Sequence, residues 1–151
     1  MPIHNPAEVD GDPGEGHITI GAWNYNTIVQ GTWGFIVQAA MYGGFYWRNT
    51  PPANADEITY QVYLAAGTYT LRLIGGKNSN AGILDIYLDA VEVASFDQYV
   101  AVPVYNQVFT QAGIVVASSK LYTLTCKVDG RNGASSNFYV YLGIIALWRT
   151  A

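Results

Sequence analysis

Apolar and polar side chains alternate with a period of two in several segments after residue 16. In residues 58–64, apolar side chains alternate with Thr59 and Gln61, and residues 69–73 repeat this pattern. Successive side chains of a β-strand point to opposite faces of the sheet, so the alternation predicts strands with one face in a core and the other in water. Strands rather than helices are therefore expected along the body of the chain.

The shared parity of the apolar positions predicts which side chains meet in one core. Cys126 has the same parity as its apolar neighbours, so we expect a small buried side chain rather than a nucleophile. In the last predicted strand, roughly residues 138–149, the parity slips near Gly143. This slip predicts a β-bulge that turns Ile145 and Leu147 inward. The predicted core contains Leu71, Leu73, Leu84, Ile86, Leu124 and Leu142.

Turn-forming residues separate the predicted strands. Residues 49–54, 75–82 and 129–136 are rich in Gly, Pro, Asn and Ser. The dipeptide Asp89-Ala90 lies between two short alternating segments, as in a hairpin. This pattern gives about nine or ten strands and no helix of three turns. We therefore predict one all-β domain over residues 17–151, an antiparallel β-sandwich of the jelly-roll type.

Residues 1–16 have a different composition from the rest. They contain three prolines, three glycines and four acidic residues but no Lys or Arg. No strand or helix period survives there, so we predict an extended N-terminal arm that becomes ordered against a partner. Attraction between exposed charges is screened within about 8 Å at physiological salt. The arm's apolar residues Ile3, Pro6 and Val9 are therefore the predicted interface contacts.

Charge is sparse in the body of the chain. Only 12% of residues are charged, and 7 Lys and Arg stand against 11 Asp and Glu. An acidic chain of this kind is not expected to bind nucleic acid, and its hydrophobicity excludes a disordered chain. Without the four acids of residues 1–16, the body is formally neutral. A weakly charged neutral surface favours self-association; the alternative is a monomer kept soluble by uncharged polar side chains.

No catalytic or metal-binding constellation is present in the sequence. Two histidines and one cysteine cannot build a typical zinc site, and no phosphate-binding loop occurs, so we expect no enzyme activity, metal or other cofactor. The acidic residues between 85 and 97 are predicted to be structural, with a calcium site near Asp85 or Asp89 as the alternative. No apolar run is long enough to span a membrane, and no signal peptide is evident, so synthesis in the cytoplasm is expected.

Aromatic residues are the informative excess, with 4 Trp, 12 Tyr and 5 Phe. Exposed aromatic rings can stack on sugars or anchor protein interfaces, whereas buried ones fill a core. The possible aromatic contact surface consists of Tyr46, Trp47, Tyr99 and Tyr105. For these four residues, contact surface and core remain open alternatives.

Two resemblances add expectations about function. Residues 66–73, 82–89 and 139–149 resemble strands of the galactose-binding-like sandwiches of carbohydrate-binding modules, especially family 6. This resemblance implies a module that recognises a glycan, for example on a cell surface, through exposed aromatic residues. It carries no sugar-site signature that can be assigned to particular residues.

The second resemblance is to capsid decoration (cement) proteins and head-fibre proteins of tailed bacteriophages. Residues 60–71, 128–132, 135–139 and 147–150 are similar to segments of such β-sandwich proteins. It implies a non-enzymatic virion protein on the capsid exterior, docked where subunits meet, with its arm clamping a neighbour. The implied partners are the major capsid protein and further copies of the chain in a homotrimer. We take this as the main functional hypothesis and the carbohydrate-binding module as the alternative.

Overall fold

The computed structural model describes residues 16–151, and these residues form a two-layered β-sandwich. The part described contains one short 3₁₀ turn, Tyr42–Gly44, and no α-helix. No helix among residues 16–151 has the length and apolar character needed to cross a membrane. The eleven strands are β1 His17–Gly21, β2 Thr27–Gln30, β3 Trp33–Val37, β4 Phe45–Asn49, β5 Glu57–Leu64, β6 Gly67–Lys77, β7 Ile83–Leu88, β8 Val91–Asp97, β9 Val104–Val116, β10 Lys120–Val128 and β11 Tyr141–Arg149.

The strands pair into two antiparallel sheets. Sheet A has the order β3-β4-β11-β6-β9, and β1 pairs with the second half of β11 beyond the end of β4. Sheet B has the order β2-β5-β10-β7-β8. Several neighbours in each sheet, such as β6 and β11 or β5 and β10, come from distant parts of the chain, as expected of a jelly roll, whereas β3–β4 and β7–β8 are consecutive along the chain. The prediction of an all-β antiparallel sandwich of jelly-roll type is confirmed.

The space between the sheets is filled by the side chains that the parity argument selected. Of the six predicted core residues, Leu71, Leu73 and Leu142 enter from sheet A, and Leu84, Ile86 and Leu124 enter from sheet B. All six predicted core residues are completely buried, as are Cys126 and the bulk of Tyr60. The Tyr60 hydroxyl donates a hydrogen bond of 2.6 Å to the carbonyl of Ala22, so this large ring is buried without leaving a polar atom unpaired.

The predicted irregularities are also present. The register between β11 and β6 shifts between Leu142 and Ile144, and Ile145 and Leu147 point into the core beyond the shift. A Cβ on Gly143 would lie 2.7 Å from the carbonyl oxygen of Ile74, so the bulge needs glycine at this position. The β7–β8 hairpin turns at Asp89, whose φ is +51°.

Gly16, the first residue that the structure describes, is hydrogen-bonded to β11. The amide of Arg149 donates to the carbonyl of Gly16 at 2.6 Å, and β1 starts at the next residue. The predicted arm and its contacts Ile3, Pro6 and Val9 lie outside the residues that the structure describes. The division into an arm and a sandwich at residue 16 stays a prediction.

Candidate functional site

The outer face of sheet A has three short rows of side chains that run across neighbouring strands. Because the inward positions of β6 are Leu71 and Leu73, the residues between and beside them point outward. One row joins Thr70, Trp148 and His17, the next joins Arg72, Ala146 and Thr19, and the third joins Ile74, Ile144 and Gly21.

These rows form a groove of about 470 Å³, here called the sheet A groove. Its middle row contributes the small side chains of Ala146 and Thr19 beside the long side chain of Arg72, whereas Trp148 stands at one end and Ile74 and Ile144 at the other. A low floor between taller side chains is the shape that receives an extended ligand. The lining consists of His17, Thr19, Arg72, Ile74, Ile144, Ala146 and Trp148.

The polar groups of the groove surround its aromatic ring. The guanidinium carbon of Arg72 lies 4.8 Å from the centre of the Trp148 ring, within the range of a cation–π contact. Nε2 of His17 and Oγ1 of Thr19 are 2.7 Å apart on the exposed rim. An indole with hydrogen-bonding groups beside it suits a ligand that has both apolar and hydroxyl-bearing faces.

A smaller pocket of about 180 Å³ continues the groove at its apolar end and shares Ile74 and Ile144 with it. Trp23 and Phe45 line its far side, with their ring centres 5.1 Å apart. Phe35, which is 55% exposed, packs edge-on against Phe45 at 4.8 Å. The sheet therefore ends in an aromatic edge of Trp23, Phe35 and Phe45, next to the groove.

The four predicted contact residues do not form one surface. Tyr46 and Trp47 are only 4% and 6% exposed, because β4 is covered on both faces. Trp47 points into the main core, and Tyr46 points to the opposite side, 6.4 Å from Tyr105. Tyr99 is partly exposed in the loop after β8, where its amide donates to Oδ1 of Asp97. A contact role for Tyr99 and Tyr105 stays a prediction, whereas the rings of Tyr46 and Trp47 are covered.

Tyr46 belongs to a row of tyrosines at the loop end of sheet A. Its ring centre is 4.8 Å from that of Tyr141, which in turn lies 6.1 Å from Tyr139. Arg48 covers this end with its guanidinium 4.2 Å from the Tyr139 ring centre. The Tyr141 hydroxyl donates to Oδ1 of Asn80 at 2.5 Å. Burial raises the pKa of both Tyr46 and Tyr141, so these hydroxyls are neutral packing groups.

Two of the acidic residues between 85 and 97, Asp89 and Asp97, have hydrogen-bond partners that hold them in structural roles. Asp89 accepts hydrogen bonds from Lys120 at 2.7 Å and from the Thr123 amide at 3.0 Å, and Asp97 accepts one from Asn132. Asp85 is 5% exposed, and its Oδ1 has no hydrogen-bond partner. Among residues 16–151, no three His, Cys, Asp or Glu side chains are grouped so that they could hold a metal ion. The calcium alternative therefore has no ligand set in this part of the chain.

The sequence analysis missed the sheet A groove, although the pattern contained an indication of it. β11 reads YLGIIALWR, and its outward positions Ile144, Ala146 and Trp148 are as apolar as its inward ones. A strand that is apolar on both faces is typical of a sheet covered on both sides. No other element of residues 16–151 covers that stretch, so the second apolar face was the evidence for an open groove.

Comparisons with known proteins support the fold. No protein-family model matches the chain, and no curated protein matches it. A xanthan lyase from Paenibacillus superposes with a TM-score of 0.73 at 21% identity, over 87% of this chain but only 13% of the lyase chain. The CBM36-1 domain of a multidomain xylanase from the hindgut metagenome of Trinervitermes trinervoides gives a TM-score of 0.67 at 16% identity, over 89% of this chain and 98% of that domain.

A third similar structure is a CBM36 carbohydrate-binding module in complex with calcium and xylotriose. It superposes with a TM-score of 0.63 at 23% identity and covers 86% of this chain and 98% of the module. These comparisons contradict the main hypothesis of a phage capsid decoration protein, because the similar structures are carbohydrate-binding modules and parts of polysaccharide-degrading enzymes. They give no support for a major capsid protein or a homotrimer as partners. At these identities the likeness concerns architecture, and the chain has the β-sandwich fold found in carbohydrate-binding modules.

Proposed function

We propose that this chain is a non-catalytic carbohydrate-binding module that holds a glycan in the sheet A groove. The observation that carries the proposal is the partly exposed Trp148 ring at one end of an open groove, with Arg72 and His17 beside it. A flat aromatic face packs against the C–H face of a sugar ring, while the neighbouring donors bind its hydroxyl groups.

The shape of the groove favours a glycan chain over a compact ligand. It is open along its length and continues through Ile74 and Ile144 into the pocket beside Trp23 and Phe45. Ala146 and Thr19 keep the floor low between the two ends. Several sugar units could therefore lie across the three strands, with aromatic side chains at both ends.

The fold neighbours support the same class of function. One of the similar modules is in complex with calcium and xylotriose. Since a shared β-sandwich does not determine a shared ligand, the assignment to this chain depends on its own groove residues.

A binding experiment with matched aromatic variants tests the proposal. The wild-type chain is screened against soluble neutral and acidic polysaccharides by affinity electrophoresis, and each positive ligand is then titrated by calorimetry. Trp148→Ala should weaken binding at least about tenfold, as expected when an aromatic contact residue is lost. Tyr63→Ala is the control, because Tyr63 is 49% exposed on the opposite sheet.

Three results would contradict the proposal. The first is a wild-type chain that binds no polysaccharide in the screen. The second is equal weakening by Trp148→Ala and Tyr63→Ala. The third is loss of binding in Phe35→Ala with Trp148→Ala unaffected, since that would move the site from the groove to the aromatic edge.

A further inference from the structure

The charged residues of the described sandwich are segregated between its two sheets. The strands of sheet A contain four cationic residues and no acidic one, whereas the strands of sheet B contain four acidic residues and two lysines. The cations of sheet A are Arg48, Arg72, Lys77 and Arg149, and the acids of sheet B are Glu57, Asp85, Glu92 and Asp97. Residues 17–151 contain seven acidic and seven basic residues, so a sheet with four cations and no acid is not a consequence of composition.

Arg72 brings this positive charge into the sheet A groove. Its neighbours across the strands are Ala146 on β11 and Thr110 on β9, both uncharged. None of the groove residues is acidic, and the ion pair found within residues 16–151 joins Lys120 to Asp89 on the other sheet. The guanidinium of Arg72 therefore meets the ring of Trp148 and solvent but no carboxylate in the described part of the chain.

The geometry points to a glycan that carries carboxylate groups, such as a polyuronate, as the ligand of the sheet A groove, with Arg72 as its anion contact. This inference rests on the proposed function and names the ligand class of the same groove. A guanidinium offers two parallel N–H donors that match the two oxygens of a carboxylate, and contact with Trp148 restricts its orientation beforehand. A wholly neutral ligand lying over Arg72 would displace water from the charge without supplying a counter-charge.

The surrounding charges act in the same direction. Arg48 also points outward from sheet A. It pairs with Tyr141 on β11, whereas Arg72 pairs with Ala146, five residues further along the same strand. At about 3.3 Å per residue, the two positions lie roughly 16 Å apart along β11. Positive charge at two points along one face attracts an extended polyanion during its approach, and the acids of sheet B make the opposite face repel it.

The test compares each acidic polysaccharide with its own uncharged form. Polygalacturonate and glucuronoxylan are titrated against the wild-type chain, each beside a fully methyl-esterified preparation with the same backbone. We expect at least one acidic form to bind tenfold or more tightly than its ester, and this preference to fall as sodium chloride is raised. Dextran sulfate is included to distinguish a carboxylate from a sulfate as the recognised group.

Variants of single cations complete the test. Arg72→Gln should remove the preference for the acidic form, and Arg72→Lys should restore only part of it, because an ammonium lacks the two-donor fork. Lys127→Gln is the matched control, since it removes the same charge from the outer face of sheet B. Unchanged melting temperatures confirm that the variants are folded.

The outcomes separate this inference from the proposed function. Equal or tighter binding of the esterified forms overturns the carboxylate inference and leaves a module for neutral glycans. Tighter binding of dextran sulfate than of either carboxylated polysaccharide also overturns it, as does an equal effect of Arg72→Gln and Lys127→Gln. Failure of every neutral and acidic polysaccharide to bind contradicts the proposed function itself.

Discussion

Replacement of Leu124 by alanine tests the packing between the sheets quantitatively. Leu124 lies in the middle of β10, opposite Tyr60 on β5 and Leu88 on β7, and is completely buried. Leu→Ala at such a site removes buried methyl groups and leaves a cavity, which costs about 2–5 kcal/mol. Leu121→Ala is the matched control, because Leu121 belongs to the same strand, points outward and is 59% exposed. Its loss should cost no more than about 0.5 kcal/mol.

Urea unfolding followed by tryptophan fluorescence measures both variants. With an m-value of about 1.5 kcal/mol per molar urea, a loss of about 3 kcal/mol moves the midpoint by about 2 M. The midpoint for Leu121→Ala should move by less than about 0.4 M at the same m-value. Similar midpoints for the two variants, or a larger shift for Leu121→Ala, would refute the assignment of β10 faces on which the sandwich rests.

Two further predictions concern buried titratable groups. Burial raises the pKa of Asp85; Glu92 and Asp129 act in the same direction, and a hydrogen bond with Ser95 acts against them. Because the folded pKa lies above the unfolded pKa of about 3.9, the ionised carboxylate destabilises the fold at pH 7. This cost is lost as the pH falls through the folded pKa towards the unfolded pKa. Asp85→Asn should thus have a higher urea midpoint than the wild type at pH 7, and this difference should disappear near pH 4. A difference in midpoint that grows as the pH is lowered would contradict the prediction. Burial raises the pKa of the Cys126 thiol to about 12, so a chromogenic disulfide reagent should react with it only after unfolding, and rapid stoichiometric reaction with the native chain at pH 8 would show that the thiol is accessible.

The strands and the core were predictable because they depend on short-range parity. Leu71 and Leu73 are separated by Arg72, and this alternation alone determines which side chains face the opposite sheet. The bulge at Gly143 was predictable for the same reason, since only a register shift places both Leu142 and Ile145 in the core. Neither conclusion requires knowledge of which strands are neighbours.

The candidate site was not predictable in this way because it depends on strand order. His17, Arg72 and Trp148 come from β1, β6 and β11, and only the register of sheet A brings them to one groove. The burial of the aromatic residues that were selected from the sequence could not be predicted either. Tyr46 and Trp47 both belong to β4, where Trp47 packs into the core between the sheets and Tyr46 packs against Tyr105 and Tyr141 on the other side.

The two outer faces of the sandwich offer a ligand opposite electrostatic surroundings. Tyr87 on sheet B is partly exposed like Trp148, but the carboxylates of Asp85 and Glu92 lie near it, and together with burial they raise the pKa of its hydroxyl. An anionic sugar approaching Tyr87 would therefore be repelled, whereas one approaching Trp148 meets Arg72. Because both faces belong to one fold that other proteins share, the fold cannot select between them. Under the proposed function, the positions of a few charges on this otherwise weakly charged chain would direct a glycan to sheet A, most strongly one that is itself negatively charged.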